Sequence, residues 1–464
     1  MASDVAHQFS TVPLRRQGFE TLPTPGAALA VGAFATAASV AVLAPSLFFP
    51  LLVALGACMV ALLAFRHNAG ACALWLLVTG CTLEMSLGDV LGPAAYQPII
   101  AGVKGAGLVL AGLAVLRFGP LADPFNPGFA FLAMFVGGWV HGLHPGLTTS
   151  ESLRSLAGSV APFAFSFSRL SSGWARGVIR LTAWIPLFNV AAGSVLAIAG
   201  IRPLFVVDPG GARLGALSHP AFLAEFALAA IYSCLIELYR QGGWRQVALM
   251  AANFVILVLT GARAPLLWGS AVIGLTLAFV PSPALSRGSR RLMLLAAAAA
   301  VPVLAGLAGS LSGLRLFNVA THEAVNLSGR GELWPLFERA AAESPWFGWG
   351  VGAGNTIVPQ TSDIVLYMHT WAAHNEYLRI AVEGGQIGRA LLIGLFVLWC
   401  FCHSRHLCRT DRCIMRLVFI AFACHAFTDN VLISTSASVL FAFVSAVFAR
   451  GRLEDEAARR RGVA

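Results

Sequence analysis

Charge is what this sequence has least of. Asp, Glu, Lys and Arg make up 11% of its 464 residues and 58% are hydrophobic, where an ordinary soluble domain carries about 25% charged residues. That excludes a soluble globular protein, and a mean hydropathy of +0.77 places the chain in a bilayer. Apolar runs of about 17–25 residues recur, the length of a membrane-crossing helix. The weak alternation of a membrane β-barrel is missing. The expected fold is all-α: a polytopic transmembrane helical bundle of 12–14 spans with a large extracytoplasmic loop that contains short helices.

Other absences narrow the reading. No cysteine falls in the one long polar segment, so that loop uses no disulfide even where an oxidising compartment would permit one. Cys400, Cys402, His403, His406, Cys408 and Cys413 lie close in sequence, but at no standard zinc spacing, and small fillers beside a basic turn are the better reading. The polar loop has no Asp-x-Asp or paired-carboxylate motif, so neither a metal nor a cofactor is expected at a reaction centre. No repeat of fixed period is present. Met1 to Thr24 is polar and holds Arg15 and Arg16, which does not read as a cleavable signal.

The net charge of +10 does not imply nucleic acid, because the basic residues sit in short gaps between apolar runs rather than in a patch. Topology explains them. With the N-terminus inside and alternating spans, most of the 31 Lys+Arg fall on inside segments. The expected organisation is a cytoplasmic segment at 1–24, a helical bundle at 25–311, an extracytoplasmic loop at 312–385, further transmembrane helices at 386–450 and a cytoplasmic tail at 451–464. The least membrane-like of the expected spans are 70–88, which contains Glu84, and 155–170. Lys104, Arg154, Arg202, Arg213, Arg263, Arg315, Arg330, Arg339, Arg379 and Arg389 remain outside this explanation. A cation at membrane depth or on the outer side needs a reason, and an anionic substrate is the usual one.

Several of these sit in suggestive places. Arg263 lies in LTGARAPLLWG, a tight hairpin between apolar runs. Gly261 permits the turn and Pro265 suits a first helical turn, so Arg263 stands beside backbone N–H groups that favour anions. Phosphate binding and snorkelling to lipid headgroups both fit it. Arg213, in GGARLGALSHPAFLAEF, precedes His219 and the intramembrane Glu225, which suggests supporting or acceptor-side roles or a simple ion pair. Arg330 and Trp334 open SGRGELWPLFERAAAESP. There Leu333, Leu336, Phe337 and Ala340 share one face of a helix able to lie in the interface. FGWGVGAGN, at 347–355, has four alternating glycines and reads as a turn lining a substrate. His374, with Asn375, heads AAHNEYLRIAVEGGQIG. It sits before a short helix that Gly384 and Gly385 end or break, and suits a general base near neutral pH or a helix cap. His369 competes with it.

HNEYLRIAVEGGQIG resembles the signature of the O-antigen ligase and polymerase superfamily: His-Asn, a hydrophobic helix, then Glu-x-Gly-x-x-Gly, filled here by Glu383, Gly385 and Gly388. TGARAPLL, RLGALSHP and GRGELWPLFERAAAESPWFGWGVGAGN are similar to three further family motifs in the family order, with Ala262 where a serine is usual. The resemblance covers roughly 213–430. It implies a metal-independent membrane glycosyltransferase of the bacterial inner membrane, multi-pass, with both termini cytoplasmic and the active loop periplasmic. The implied donor is a glycan on undecaprenyl pyrophosphate. Carried over, Arg263 and Arg330 bind the donor pyrophosphate and His374 is the catalytic base or a key acceptor-side group. Arg213, His219, Trp334, Asn375 and Glu383 support them. As an O-antigen ligase of lipopolysaccharide biosynthesis, the protein would use lipid A–core as acceptor. The alternative is a polymerase acting on a lipid-linked repeat unit in O-antigen or exopolysaccharide biosynthesis. A lipid-linked glycan transporter or flippase is the reading from a different class.

Overall fold

The apolar runs fold as helices, because in hydrocarbon every backbone N–H and C=O must find its partner within its own segment. A computed structural model of the chain describes residues 45–462 except 84–85, 87–91, 209, 307–309, 322–329, 360–361, 363–364, 366–369 and 433. The expected segment 1–24, nearly all of the expected span 26–46, Glu84 and His369 lie outside the described residues.

Two compact units divide at Leu63. The first holds the start of α1 (Pro45–Arg66). The second begins with α2 (Asn68–Gly80), α3 (Pro93–Phe118), α4 (Gly128–His141), α5 (Thr149–Val160), a 3-10 segment (Ala161–Phe167) and α6 (Ser172–Ile198). A short hairpin follows, β1 (Phe205–Asp208) and β2 (Gly211–Leu214), antiparallel with Val206 opposite Arg213. After it come α7 (Pro220–Gln241), α8 (Trp244–Leu259), α9 (Arg263–Phe279), α10 (Arg287–Gly306), α11 (Arg315–Thr321) and α12 (Arg330–Glu343). The chain ends with α13 (Glu376–Ser404), α14 (Arg409–His425) and α15 (Ser434–Arg460).

The protein is an all-α polytopic bundle. Five helices among the described residues are long and apolar enough to cross a membrane: 98–118 within α3, α6, α7, α13 and 435–460 within α15. Three shorter ones, α4, α8 and α9, are also apolar. Helix α7 is its axis. It packs against α6, α8, α9 and α15 and is buried on nearly every side, as expected of a helix apolar all round.

Two expected features differ. The run at 155–170 is not one span: Thr148 and Glu151 form a reciprocal capping box that starts α5, and after Val160 the chain tightens into a 3-10 segment containing Pro162. The amphipathic helix expected over 332–342 does form, as α12. Its apolar face, however, is covered by protein, because Leu333, Phe337 and Ala340 pack with Leu147, Val358 and Val382 in a second, smaller core.

At the end of the bundle where α7 finishes, ion pairs tie the helices together. Arg240 binds Asp411 at 2.8 Å and Glu454 at 2.6 Å, and Arg450 binds Glu237. His403 and His406 belong to the same end, their ring nitrogens on Asp123 at 3.0 Å and Asp455 at 2.7 Å.

Candidate functional site

The opposite end of the bundle carries His374. Its φ is +47°, a left-handed conformation costly for a non-glycine residue and found where surrounding contacts fix it. Those contacts are visible. The Trp334 indole N–H donates to the Ala373 carbonyl at 2.8 Å. The Asn375 side chain caps α13 by accepting from the Leu378 N–H at 3.1 Å. The Glu376 N–H donates to the Ala426 carbonyl at 2.8 Å, just past the end of α14. Asn375 and Trp334 therefore position the histidine and do not touch its ring.

The ring is held at both nitrogens. Nδ1 lies 3.1 Å from Asp429 Oδ1, and Nε2 lies 3.1 Å from the Thr370 hydroxyl. Burial pushes the Asp429 carboxyl up. The hydrogen bond and charge of His374, the charge of His425 and the Asn430 N–H outweigh that and hold it down at about 2. An ionised Asp429 only accepts, so Nδ1 carries the proton and Nε2 is the basic nitrogen. Its Thr370 partner is a hydroxyl that an incoming acceptor hydroxyl can replace.

Below His374, α13 bends at Gly385, where φ is +59°. Residues 348–350 of the glycine-rich segment meet this bend. The Trp349 N–H donates to the Val382 carbonyl at 2.8 Å and the Gly350 N–H to the Glu383 carbonyl at 2.9 Å. A Cβ on Gly348 would lie 2.5 Å from the Glu383 carbonyl carbon, and one on Gly385 would lie 2.3 Å from that of Trp346. Gly348 and Gly385 thus serve one backbone-to-backbone contact. Glu383 is fully buried, with its carboxylate on Arg379 at 2.9 Å. It is part of the scaffold.

A cationic face is built from the β-hairpin and the Thr260–Arg263 turn. The Arg213 Nε donates to the Thr260 carbonyl at 2.9 Å, and Arg213 and Arg315 each reach Asp208 at 3.0 Å. Gly261, at φ +66°, sits against both arginines, since an added Cβ would meet Arg315 at 3.2 Å and Arg213 at 3.6 Å. Arg263 opens α9. Its side chain is exposed and has no hydrogen-bond or ion-pair partner among the described residues. Three guanidinium groups against one carboxylate leave this face positive. It shares an end with the histidine: Arg213 lies in the field of Asp429, and His219 in the fields of His374 and Asp429. His219 itself caps α7, its Nδ1 accepting from the Ala221 N–H at 3.3 Å. Arg330 is the first residue of α12, but its side chain lies outside the described ones.

Sequence reasoning overlooked Asp429, Asp208 and Thr370, and left Arg315 unassigned. The usable signal for Asp429 was a carboxylate in HAFTDN, at the end of an apolar run, where an unpaired acid is costly. Glu225, His425 and Asp429 also converge, with ligand-type atoms within 4.8 Å of one another. His425 Nε2 and Asp429 Oδ2 stand 3.9 Å apart, wider than neighbouring ligands of a zinc tetrahedron, which at about 2.0–2.1 Å stand about 3.3 Å apart.

The Trp334 bond gives a direct test. Trp334→Phe keeps a ring against Phe427, now 6.1 Å away, and removes the donor to Ala373. One neutral hydrogen bond is worth about 0.5–1.5 kcal/mol, so turnover is expected to fall by up to about 10-fold. The thermal midpoint of the purified protein should stay nearly unchanged.

No curated protein matches the chain. The family model described as O-Antigen ligase matches residues 247–393, about a third of the chain. That interval contains Arg263, Arg330, Trp334, His374, Asn375 and Glu383, while Arg213, His219 and Asp429 reach the site from outside it. Enzymes of this family transfer glycans. Over residues 247–393 this multi-pass membrane protein is similar to the O-antigen ligase family.

Proposed function

We propose that the protein is a glycan transferase of the O-antigen ligase kind, moving a saccharide from undecaprenyl pyrophosphate to an acceptor sugar hydroxyl, with lipid A–core as the acceptor. The observation that carries this reading is the His374–Asp429 pair, with its basic Nε2, at the end of the bundle that also presents the unpaired Arg263.

The step follows from that arrangement. The acceptor oxygen forms a bond to the anomeric carbon as the bond from that carbon to the pyrophosphate oxygen breaks. The electron pair leaves with the pyrophosphate. The acceptor proton passes to His374 Nε2, and Asp429 stabilises the imidazolium. Arg263 and Arg330 neutralise the charge that grows on the leaving group, a task bidentate guanidinium contacts perform without a divalent ion. Arg213 and Arg315, tied to Asp208, set the positive background.

The site faces the periplasm in this reading, and both termini are cytoplasmic in an inner-membrane protein. Its support is the opposite end, where Arg240, Arg405, Arg412 and Arg450 gather as cytoplasmic residues do. The domains are then a bundle at 25–311, a catalytic loop at 312–385 and closing helices at 386–450, flanked by cytoplasmic ends.

The test is reconstitution in liposomes with an undecaprenyl-pyrophosphate glycan and a chelator. Lipid A–core and the lipid-linked repeat unit are offered separately. Product on lipid A–core is expected, with donor KM raised about 10-fold or more in Arg263→Ala by loss of a charge-assisted contact. A ladder from the repeat unit alone would make the protein a polymerase. Donor crossing the bilayer with no product from either acceptor would make it a transporter and end the transferase reading.

A further inference from the structure

One carboxylate oxygen of Asp429 serves His374; the other faces inward. Asp429 Oδ2 lies 3.9 Å from His425 Nε2, too far for a direct hydrogen bond. His425 is 2% exposed, and its Nε2 has no hydrogen-bond partner among the described residues. A buried ring nitrogen left unpaired costs about 1–3 kcal/mol, which asks for a ligand. Beside it is a cavity of about 20 Å³ lined by Glu225, Tyr232, His425 and Ser436 among apolar side chains; Asp429 does not line it, but its carboxylate lies within 4.8 Å of the Glu225 and His425 ligand atoms. That volume holds one water, and the site offers the two to four polar partners a buried water requires.

The spacing says which ligand. The Glu225, His425 and Asp429 atoms lie within 4.8 Å of one another. Asp429 Oδ2 and His425 Nε2 are 3.9 Å apart; a water reaches both at hydrogen-bond length, whereas two zinc bonds of about 2.0–2.2 Å would have to open beyond the tetrahedral angle to span that gap. The donors also match. His425 Nε2–H donates to the water, and the two water hydrogens go to Glu225 and to Asp429 Oδ2.

We infer that Glu225, His425 and one internal water form a clamp on Asp429 that keeps its other oxygen aimed at His374 Nδ1. Glu225 and His425 are positioning residues, two layers behind the reacting atoms. The inference rests on the transferase reading for its kinetic consequence, but not for the clamp itself.

The test has two arms. In the first, ¹⁵N-histidine NMR of the full chain in nanodiscs reads the His425 ring. The expected signal is a neutral ring protonated at Nε2, assigned with His425→Gln and displaced in Glu225→Leu, which fills the cavity with an apolar side chain. In the second, transfer is measured. Glu225→Leu is expected to lower kcat about 10-fold or more with donor KM unchanged, and Glu225→Gln, whose amide oxygen still accepts from the water, to restore it to within about 3-fold. A His425 ring bare at Nε2, a Glu225→Gln variant as impaired as Glu225→Leu, or a stoichiometric divalent metal lost on Glu225→Gln would each overturn the clamp. Wild-type inactivity toward both acceptors, with the expected ring signal present, would sink the transferase reading and leave the clamp standing.

Discussion

His374→Ala is expected to lower transfer by about 10²–10⁴-fold, the contribution of a positioned general base. Donor binding should persist, because the cationic groups sit on other elements. Asp429→Asn should cost much of the same factor. A carboxamide can present an N–H where Nδ1–H needs an acceptor, which favours the tautomer with its proton on Nε2. The two losses should not add: the double variant should resemble His374→Ala, since the aspartate acts only through the ring. Separate, multiplying losses would show that Asp429 has another task. The pH sense follows from Asp429. Its carboxyl is held down at about 2, below the ordinary range, so its charge is present at every pH where the enzyme is assayed and is lost only as pH falls through that value. Activity lost in mildly acid buffer therefore does not report protonation of this carboxylate. An acid limb that survives in Asp429→Asn is the expected pattern.

The second large effect is on stability. Gly385→Ala adds a Cβ 2.3 Å from the Trp346 carbonyl carbon at a residue whose φ is +59°. The left-handed conformation alone costs about 1–2 kcal/mol, and the clash is with backbone, which has nowhere to move. A loss of about 3 kcal/mol or more is expected, seen as a large drop in thermal midpoint and in recovery of monodisperse protein. Two neighbours make the comparison sharp. An added Cβ on Gly384 meets the Met134 sulfur at 2.2 Å, but that is the far part of a flexible side chain, so Gly384→Ala should cost less. Gly394, farther along the same helix, meets nothing within 4 Å, and Gly394→Ala should be neutral or stabilising by up to about 1 kcal/mol. Equal effects at all three would mean that the bend is not the reason for Gly385.

What the sequence made legible was whatever depends on composition and on local pattern. Scarce charge and long apolar runs announce a helical membrane protein, and Arg263, Trp334 and His374 stand out as polar groups at the edges of such runs. Helix α12 was readable from the spacing of Leu333, Phe337 and Ala340. The identity of its cover was not, because Leu147 and Val358 are distant in the chain. The glycines of 347–355 were visible, but their purpose was not: close approach is encoded by the missing Cβ, whereas the approaching group, the backbone at Glu383, is a tertiary fact. The capping box at Thr148 and Glu151 is a local signal that already argued against a span at 155–170. Asp208 is a different case. It reads as a loop acid, and only the pairing of β1 with β2 makes it the shared counter-ion of Arg213 and Arg315.

His374 and Asp429 are 55 residues apart in the chain, and all of α13 and α14 lie between them. A ribosome delivers the base well before its carboxylate. A nascent chain that already holds every residue of 247–393 still lacks the group that fixes the tautomer of His374, and it acquires that group only when α14 has been inserted. Biosynthesis thus has a built-in delay between anchoring and competence. A chain interrupted after α13 holds His374 without the carboxylate that orients its ring.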